Sequence, residues 1–371
     1  MGWVGDVQPP FRDIRRIAVL RGSGIGDLLQ SLPAAEALAA TYPDAELTLL
    51  GTPAHVALLT GRPSPYARLE ALPLRPGIRD DGPGDPAAAT AFVSRMRARH
   101  FDLAVQLHGG GRNSNRFLLE LRARHTVGSR TPDAVPLERT RAFVYYQHEV
   151  LRGLEVVALA GAAPVSLEPS LPLTPGEQEQ RRARRPAAPT VVLHPGASDP
   201  RRRWPAAAFA RVAGALVRQG VRVVLVGDAE DVPTSEAILA GVADRTGLMH
   251  SVAGTQPLAG LVTQLLEADV LLGCDSGPRH VAAALGVATV GIYWAGNLVN
   301  AGPLGRARHR VQVGFTARCE VCGADLTQVG WTADRCAHDP SIVADVDPDR
   351  VLADVIELLA QSRGGTDGAA G

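Results

Sequence analysis

Two short stretches carry side chains able to handle a proton and an anion. Ser23-Gly24-Ile25-Gly26-Asp27 ends in a carboxylate, and Asp275-Ser276-Gly277-Pro278-Arg279-His280 gathers a carboxylate, a hydroxyl, a guanidinium and an imidazole. The first follows the apolar run Ile17 to Leu20 and the second follows Val270 to Gly273, so each falls where a strand is expected to give way to a helix. Open α/β sheets bind ligands beyond the carboxyl ends of their strands. An aspartate at a helix start is either a cap, worth about 1 kcal/mol, or a general base for a hydroxyl nucleophile. Both readings stand for Asp27. The dinucleotide fingerprint Gly-x-Gly-x-x-Gly fails, because after Gly22 and Gly24 its third glycine would fall on Asp27.

The second stretch has the chemistry of a phosphate site. A helix starting near Ser276 offers free backbone N–H groups and a positive dipole end, roughly half an elementary charge, beside Arg279 and His280. The alternative is a plain Asp-Ser cap punctuated by Gly-Pro. A third loop favours the anion: His194-Pro195-Gly196-Ala197-Ser198 ends another apolar run, and Arg201-Arg202-Arg203-Trp204-Pro205 brings cations next to it.

The elements that must hold these loops read as alternating strands and helices. Strand-like runs at Ile17 to Leu20, Glu46 to Leu50 and Leu103 to Leu107 alternate with helical patterns at Asp27 to Thr41 and Ala87 to Arg99. The alternation restarts with Thr190 to Leu193, a helix from Ala206 to Gln219, and Val221 to Val226. It continues through helices at Leu258 to Glu267 and Pro278 to Leu285, the strands Val270 to Leu272 and Thr289 to Tyr293, and a last helix from Pro348 to Gln361 capped by Asp347. Such alternation specifies βαβ units on parallel sheets, and 371 residues suggest two domains. The proline-rich stretch 166–189, with the basic run Arg181 to Arg185, reads as the linker between them; the basic run is taken as a solvated helix end.

Composition narrows the partners. The 38 basic and 38 acidic residues cancel, which removes the electrostatic case for nucleic acid and leaves a small molecule as the default ligand. Every basic residue other than histidine is an arginine. Neither a secretory leader nor the roughly 20-residue apolar run of a membrane span is present, so a cytoplasmic protein is expected, with peripheral membrane association left open.

Taken together, these residues resemble glycosyltransferase family nine, the ADP-heptose:lipopolysaccharide heptosyltransferases, from about Arg15 to Leu359. The resemblance rests on the Arg21 to Asp27 turn with Leu32-Pro33-Ala34, Phe101 to Leu107 before a glycine turn, His194-Pro195-Gly196-Ala197, the basic pair before Trp204-Pro205, Val226-Gly227, and Asp275-Ser276-Gly277-Pro278 with His280. It implies a GT-B fold, two Rossmann-like parallel-sheet domains facing a central cleft. Residues 1–165 would bind the acceptor and 190–347 the nucleotide-sugar donor, with helix 348–362 packing back on the first domain and 363–371 a disordered tail. It also implies inverting, metal-independent transfer of a sugar, by family a heptose from ADP-heptose, to a hydroxyl of a glycan, glycolipid or metabolite.

By matching position, Asp27 would be the base. Arg202, Ser276, Gly277 and His280 would hold the diphosphate, with Gly196 and Asp275 on the donor side and Asp231 near the ribose. Gly24, Gly26, Arg112 and Asn113 would serve the acceptor, although the Gly109 to Asn115 turn reads equally as an ordinary polar loop. A lysine is usual where Arg202 stands, and an arginine can still clamp phosphate bidentately. Asp345-Val346-Asp347 precedes a helix and reads as a cap. Cys319-x-x-Cys322 followed by Cys336-x-His338 could supply four tetrahedral ligands to a structural zinc, or be free thiols; catalysis itself requires no cofactor in this reading. A monomer is expected. The rival reading is a GT-B-like nucleotide-sugar epimerase or hydrolase, or an inactive binding protein; an epimerase would need acid/base groups around the sugar ring, where this chain offers one well-placed carboxylate.

Overall fold

The computed structural model describes residues 6–80, 82–183, 186–327 and 335–364, and the 365–371 end of the expected disordered tail lies outside them. The chain divides between Thr174 and Pro175 into two units. The division falls inside the stretch read as a linker, part of which is a helix.

In the first unit the three apolar runs become β1 (Arg16–Leu20), β2 (Glu46–Gly51) and β4 (Leu103–Gln106), joined in one parallel sheet by the more polar β3 (Arg68–Ala71), β5 (His125–Arg130) and β6 (Arg139–Ala142). They alternate with helices α1 (Ile25–Thr41), α2 (Pro53–Leu59), α3 (Pro86–Arg97), α4 (Ser114–Glu120) and α5 (Glu149–Ala158). The strand order is β3-β2-β1-β4-β5-β6. Near-continuous apolar strands such as Ile17-Ala18-Val19-Leu20 are required when both faces of a parallel sheet are covered, and those four side chains are fully buried. One face is packed by Phe92, Met96, Phe101 and Phe117; α1 lies along α5, where Gly153 admits the Ala34 methyl closely.

The second unit repeats the plan. After α6 (Pro175–Ala183) come β7 (Thr190–His194), α7 (Ala206–Arg218), β8 (Arg222–Leu225), α8 (Val232–Ala240), β9 (Met249–Ser251), α9 (Leu258–Leu266) and β10 (Val270–Cys274). There follow α10 (Gly277–Ala284), β11 (Ala288–Trp294), α11 (Ala295–Ala301), β12 (His309–Gly314) and α12 (Pro348–Gly364). The order β12-β11-β10-β7-β8-β9 is the same topology as the first sheet, the Rossmann order read from the other edge. The last helix, expected to cross back to the first domain, packs on α7 and on β10, β11 and β12 of its own unit. Val351, Val355 and Leu358 bury its apolar face, and Asp354 and Glu357 take hydrogen bonds from Gln312 and Arg310 of β12.

In each sheet the chain reverses direction of growth between two adjacent strands. The reversal lies between β1 and β4 in one unit, where Leu20 pairs with Gln106, and between β7 and β10 in the other, where His194 pairs with Gly273. The segments leaving such a pair run to opposite faces and open a crevice. The four loops singled out above leave these four strands.

Trp204 ties the second unit's crevice to its core. It is 1% exposed, stands edge-on to Phe209 at 4.9 Å, and donates its indole N–H to Val346 O at 3.2 Å. Trp204→Ala is expected to cost about 3 to 5 kcal/mol by cavity formation, read as a lower urea midpoint at unchanged slope by circular dichroism; a loss under 1 kcal/mol would show the anchor to be dispensable.

Candidate functional site

The loop after β1 is shaped by what surrounds it. Ser23 takes φ of 70°, a left-handed conformation rare for a residue with a side chain. Gly22 keeps an ordinary φ and is needed for approach instead, since a Cβ there would lie 2.4 Å from Ile78 O. His55 accepts from Thr52 N–H at Nδ1, so its Nε2–H donates to Gly24 O at 3.0 Å. That pattern fixes the neutral tautomer, in keeping with a pKa lowered by burial. His108, from the β4 side of the crevice, stands 3.2 Å from the Ser23 hydroxyl, and burial together with the Arg21 charge pushes its imidazole down to about 4.

Asp27 is the third residue of α1, with Gly24 as the N-cap. One carboxylate oxygen accepts from Gly24 N–H at 3.1 Å, which makes the cap reading true. The other meets Arg21 Nη2 at 2.7 Å. The Asp27 side chain is still 39% exposed, whereas Arg21 is buried beneath it. Arg21 also donates to Asp27 O, Leu107 O and Glu149 Oε2, and Glu149 is bound in turn by Arg152, whose guanidinium reaches three carbonyls at 144–147. Burial lowers Arg152 to about 10. The carboxylate is therefore a cap that is also aimed, by a buried cation, into the crevice.

Across the crevice, the turn after β4 is held by Gln106, whose amide donates to His108 O and Ser114 Oγ and whose oxygen accepts from Ser129 N–H. Gly109 and Gly111 have φ of 63° and 91°. Arg112 is exposed and pairs loosely with Asp133 at 3.4 Å. Asn113 caps α4 without a side-chain bond and lies against Gly77. Gly24 and Gly26 are in the Asp27 turn, so the acceptor candidates sit on the two loops of one switch point.

In the second unit the loops after β7 and β10 interlock. Ser276, the N-cap of α10, has its hydroxyl 2.9 Å from His194 Nδ1, and His194 Nε2 lies 3.3 Å from Asp231. Asp231 is buried and also accepts from Asp228 N–H. Burial alone would raise its pKa, but the bond and charge from His194 hold it below the ordinary value. Gly196 and Gly227 close over this carboxylate; a Cβ on Gly196 would lie 2.2 Å from Asp231 Oδ1. The residue expected near a ribose thus props up the His194–Gly196 turn.

Asp275 is the electrostatic centre of this crevice. Arg202 Nη1 at 3.3 Å, His280 Nε2 at 3.3 Å and Arg279 Nη2 at 3.4 Å converge on it. Against the upward push of burial, the His280 bond and the His280, Arg279 and Arg202 charges hold the carboxyl down to about 2. Arg279, which stands beside the expected anion site in sequence, is buried over the Tyr293 ring at 4.9 Å. Arg202, with 20% of its side chain exposed, is the least buried of these cations and also donates to Ser198 Oγ at 2.7 Å. Of its neighbours, Arg201 is buried against Asp199 and Arg203 donates to Ala197 O. With Gly277 opening α10, the crevice presents a guanidinium, a hydroxyl, an imidazole and a helix N-terminus over a buried carboxylate, an arrangement suited to an anionic group.

Sequence reading missed Arg21, His108, Glu149 and Arg152. Arg21 and His108 each follow an apolar strand directly, a signal in plain sight. Glu149 and Arg152 carry none, being some 120 residues from Asp27.

The family model "Glycosyltransferase family 9 (heptosyltransferase)" matches residues 89–325. Lipopolysaccharide heptosyltransferase 2 of Salmonella typhimurium is 29% identical over 175 residues, 47% of each chain, so the alignment spans about half the length of that relative. Among solved structures, the glycosyl transferase family 9 protein of Veillonella parvula superposes with a TM-score of 0.74 at 18% identity, over 94% of this chain and 97% of its own. E. coli ADP-heptose LPS heptosyltransferase II gives 0.71 at 22% identity, over 94% and 99%. These two share the fold, and with it the GT-B pair of parallel sheets.

Because Asp275 has its pKa depressed from 3.8 to about 2, the stability it contributes is complete above about pH 4 and is lost as pH falls towards 2. Asp275→Asn, which leaves Arg202 and Arg279 without their carboxylate partner, is expected to cost about 3 kcal/mol at pH 7 and to flatten the loss of stability between pH 4 and 2. Urea melts of both proteins across that range check it; parallel curves would refute the assignment.

Proposed function

The chain belongs to glycosyltransferase family 9, the heptosyltransferases, and from that premise we propose that it transfers a heptose from a nucleotide-diphosphate donor, ADP-heptose, to a hydroxyl of a lipopolysaccharide-type glycan or glycolipid. The observation that carries this reading is that each unit sets its reactive loops at its own switch point: a carboxylate with a fixed orientation in the first, a cation-lined helix N-terminus in the second. The names of the relatives support the donor and acceptor classes.

In this mechanism the second unit binds the donor. Arg202, the Ser276 hydroxyl, Gly277 N–H and His280 hold the diphosphate, and Asp275 keeps the cations in place. Asp231 acts through His194, which sets the Ser276 hydroxyl, and through Gly196. The first unit binds the acceptor around Gly24, Gly26, Arg112 and Asn113, and Asp27 removes the proton of the attacking hydroxyl. That oxygen forms a bond to the anomeric carbon as the carbon–oxygen bond to the diphosphate breaks, a single displacement that inverts the centre. Charge grows on the leaving diphosphate and is met by the guanidinium and helix terminus, so this reading needs no metal at that step; such preorganised donors contribute about 3 to 4 kcal/mol each on removal. A nucleotide-sugar donor supports reading the reaction as a cytoplasmic one.

Titration calorimetry with a panel of nucleoside diphosphates tests the donor half. Wild type and Asp27→Asn should bind ADP alike, while Arg202→Ala should bind about 10- to 100-fold more weakly, the loss of a charge-assisted contact. Absence of binding to any nucleotide would sink the reading. For the chemical half, Asp27→Asn should lower kcat by about 10²- to 10⁴-fold with KM for donor little changed; activity within threefold of wild type would assign Asp27 to capping alone. Product stereochemistry by NMR checks inversion.

A further inference from the structure

Outside both crevices, the loop between β12 and α12 gathers four soft donors. The ligand atoms of Cys319, Cys322, Cys336 and His338 all lie within 4.8 Å of one another. All three cysteines are free thiols. The cluster is prepared by backbone: Arg318 and Asp325 form an antiparallel bridge, Cys319 N–H donates to Ala324 O at 2.9 Å, and Gly323, at φ of 72°, turns its N–H back onto Cys319 O at 2.8 Å. That tight turn brings the Cys319 and Cys322 thiols together, and the second pair arrives on the segment 336–338.

Ligands about 2.3 Å from a tetrahedral ion stand roughly 3.8 Å apart, so contraction of about 1 Å from the widest observed spacing would close the site. Three thiolates and an imidazole suit a thiophilic ion, with zinc favoured by the closed tetrahedral set, and four protein ligands leave no position for a substrate.

The loop grips the segment carrying Arg202. Arg335 and Asp339 bracket the Cys336–His338 pair, and Arg335 reaches Asp199 at 3.5 Å while Asp339 reaches Arg201 at 3.7 Å. Ile342 N–H donates to Arg201 O at 2.8 Å and the Ser341 hydroxyl to Arg203 O at 2.8 Å. Cys319 and Leu326 are buried in the second unit's core with Trp204.

We propose that Cys319, Cys322, Cys336 and His338 bind one structural thiophilic metal ion, zinc by its donor set, and that this ion fixes the loop that holds the Asp199–Arg203 segment in place. The proposal concerns the second unit's architecture and stands whether or not the chain binds a nucleotide.

The test uses the full chain purified without chelator, with elemental analysis for zinc and iron. One equivalent per chain is expected in wild type, and at least tenfold less in Cys322→Ala/His338→Ala, whose two positions are exposed and so spare the core. Removing the ion from wild type with a chelator should speed hydrogen exchange about tenfold or more in peptides covering 199–203 and 336–346, reversed by zinc chloride. Iron at the same stoichiometry, lost in the same variant, would support the site and reassign its ion. Fewer than about 0.1 equivalents in wild type after anaerobic reconstitution with zinc chloride under reductant, a Cys319–Cys322 disulfide found in its place, or full occupancy in the double variant would overturn the site. Metal release without faster exchange at 199–203 would overturn its role.

Discussion

Both crevices of this chain depend on one constraint of parallel sheets: where the strand order reverses, the segments leaving two neighbouring strands part to opposite faces. Both sheets reverse once, between β1 and β4 and between β7 and β10. The paired ends at Leu20 and Gln106, and at His194 and Gly273, therefore become the rims of two crevices. Residues some 80 positions apart in sequence become hydrogen-bond partners there, as with Ser23 and His108 or His194 and Ser276.

The two crevices treat charge in a common way. Each pairs a buried cation with a more exposed charged group at the rim of the crevice. In the first unit Arg21 is the buried member and Asp27 the accessible one; in the second, Arg279 lies under the helix start and Arg202 at the surface of the crevice. A buried charge must be paired and hydrogen-bonded to be tolerated, and these pairings fix orientation as they meet that need. Loss of a partner would leave an uncompensated charge, so the architecture of each site and its electrostatics cannot be varied independently. The same logic extends to Asp231, which is held through His194 and covered by Gly196 and Gly227.

Close approach between loops and these buried groups sets which small residues are required. Gly196 faces a carboxylate and Gly22 faces a carbonyl, neither of which can yield to a methyl group. The left-handed backbone in the first loop falls on Ser23 and not on a glycine of the motif, so Gly22 serves close approach and not conformational freedom.

The sequence by itself determined the alternation of strands and helices, the two-unit plan, the loops that leave the switch-point strands and the family. These follow from local periodicity, from breakers such as Gly-Pro, and from ordered motifs, all of which operate over a few residues. Short or amphipathic pieces such as β3, β6 and β9 were illegible because three or four residues carry no reliable period, and α6 was hidden in a proline-rich stretch. Tertiary structure decided which side chains face the crevices and which support them. Arg279 and Asp231 carry the right chemistry in or beside the right motifs, yet both are turned inward, since their burial is set by Tyr293 and His194, which lie outside those motifs. The Glu149–Arg152 support beneath Asp27 exists because α1 packs on α5, a contact between elements more than a hundred residues apart that no local pattern encodes.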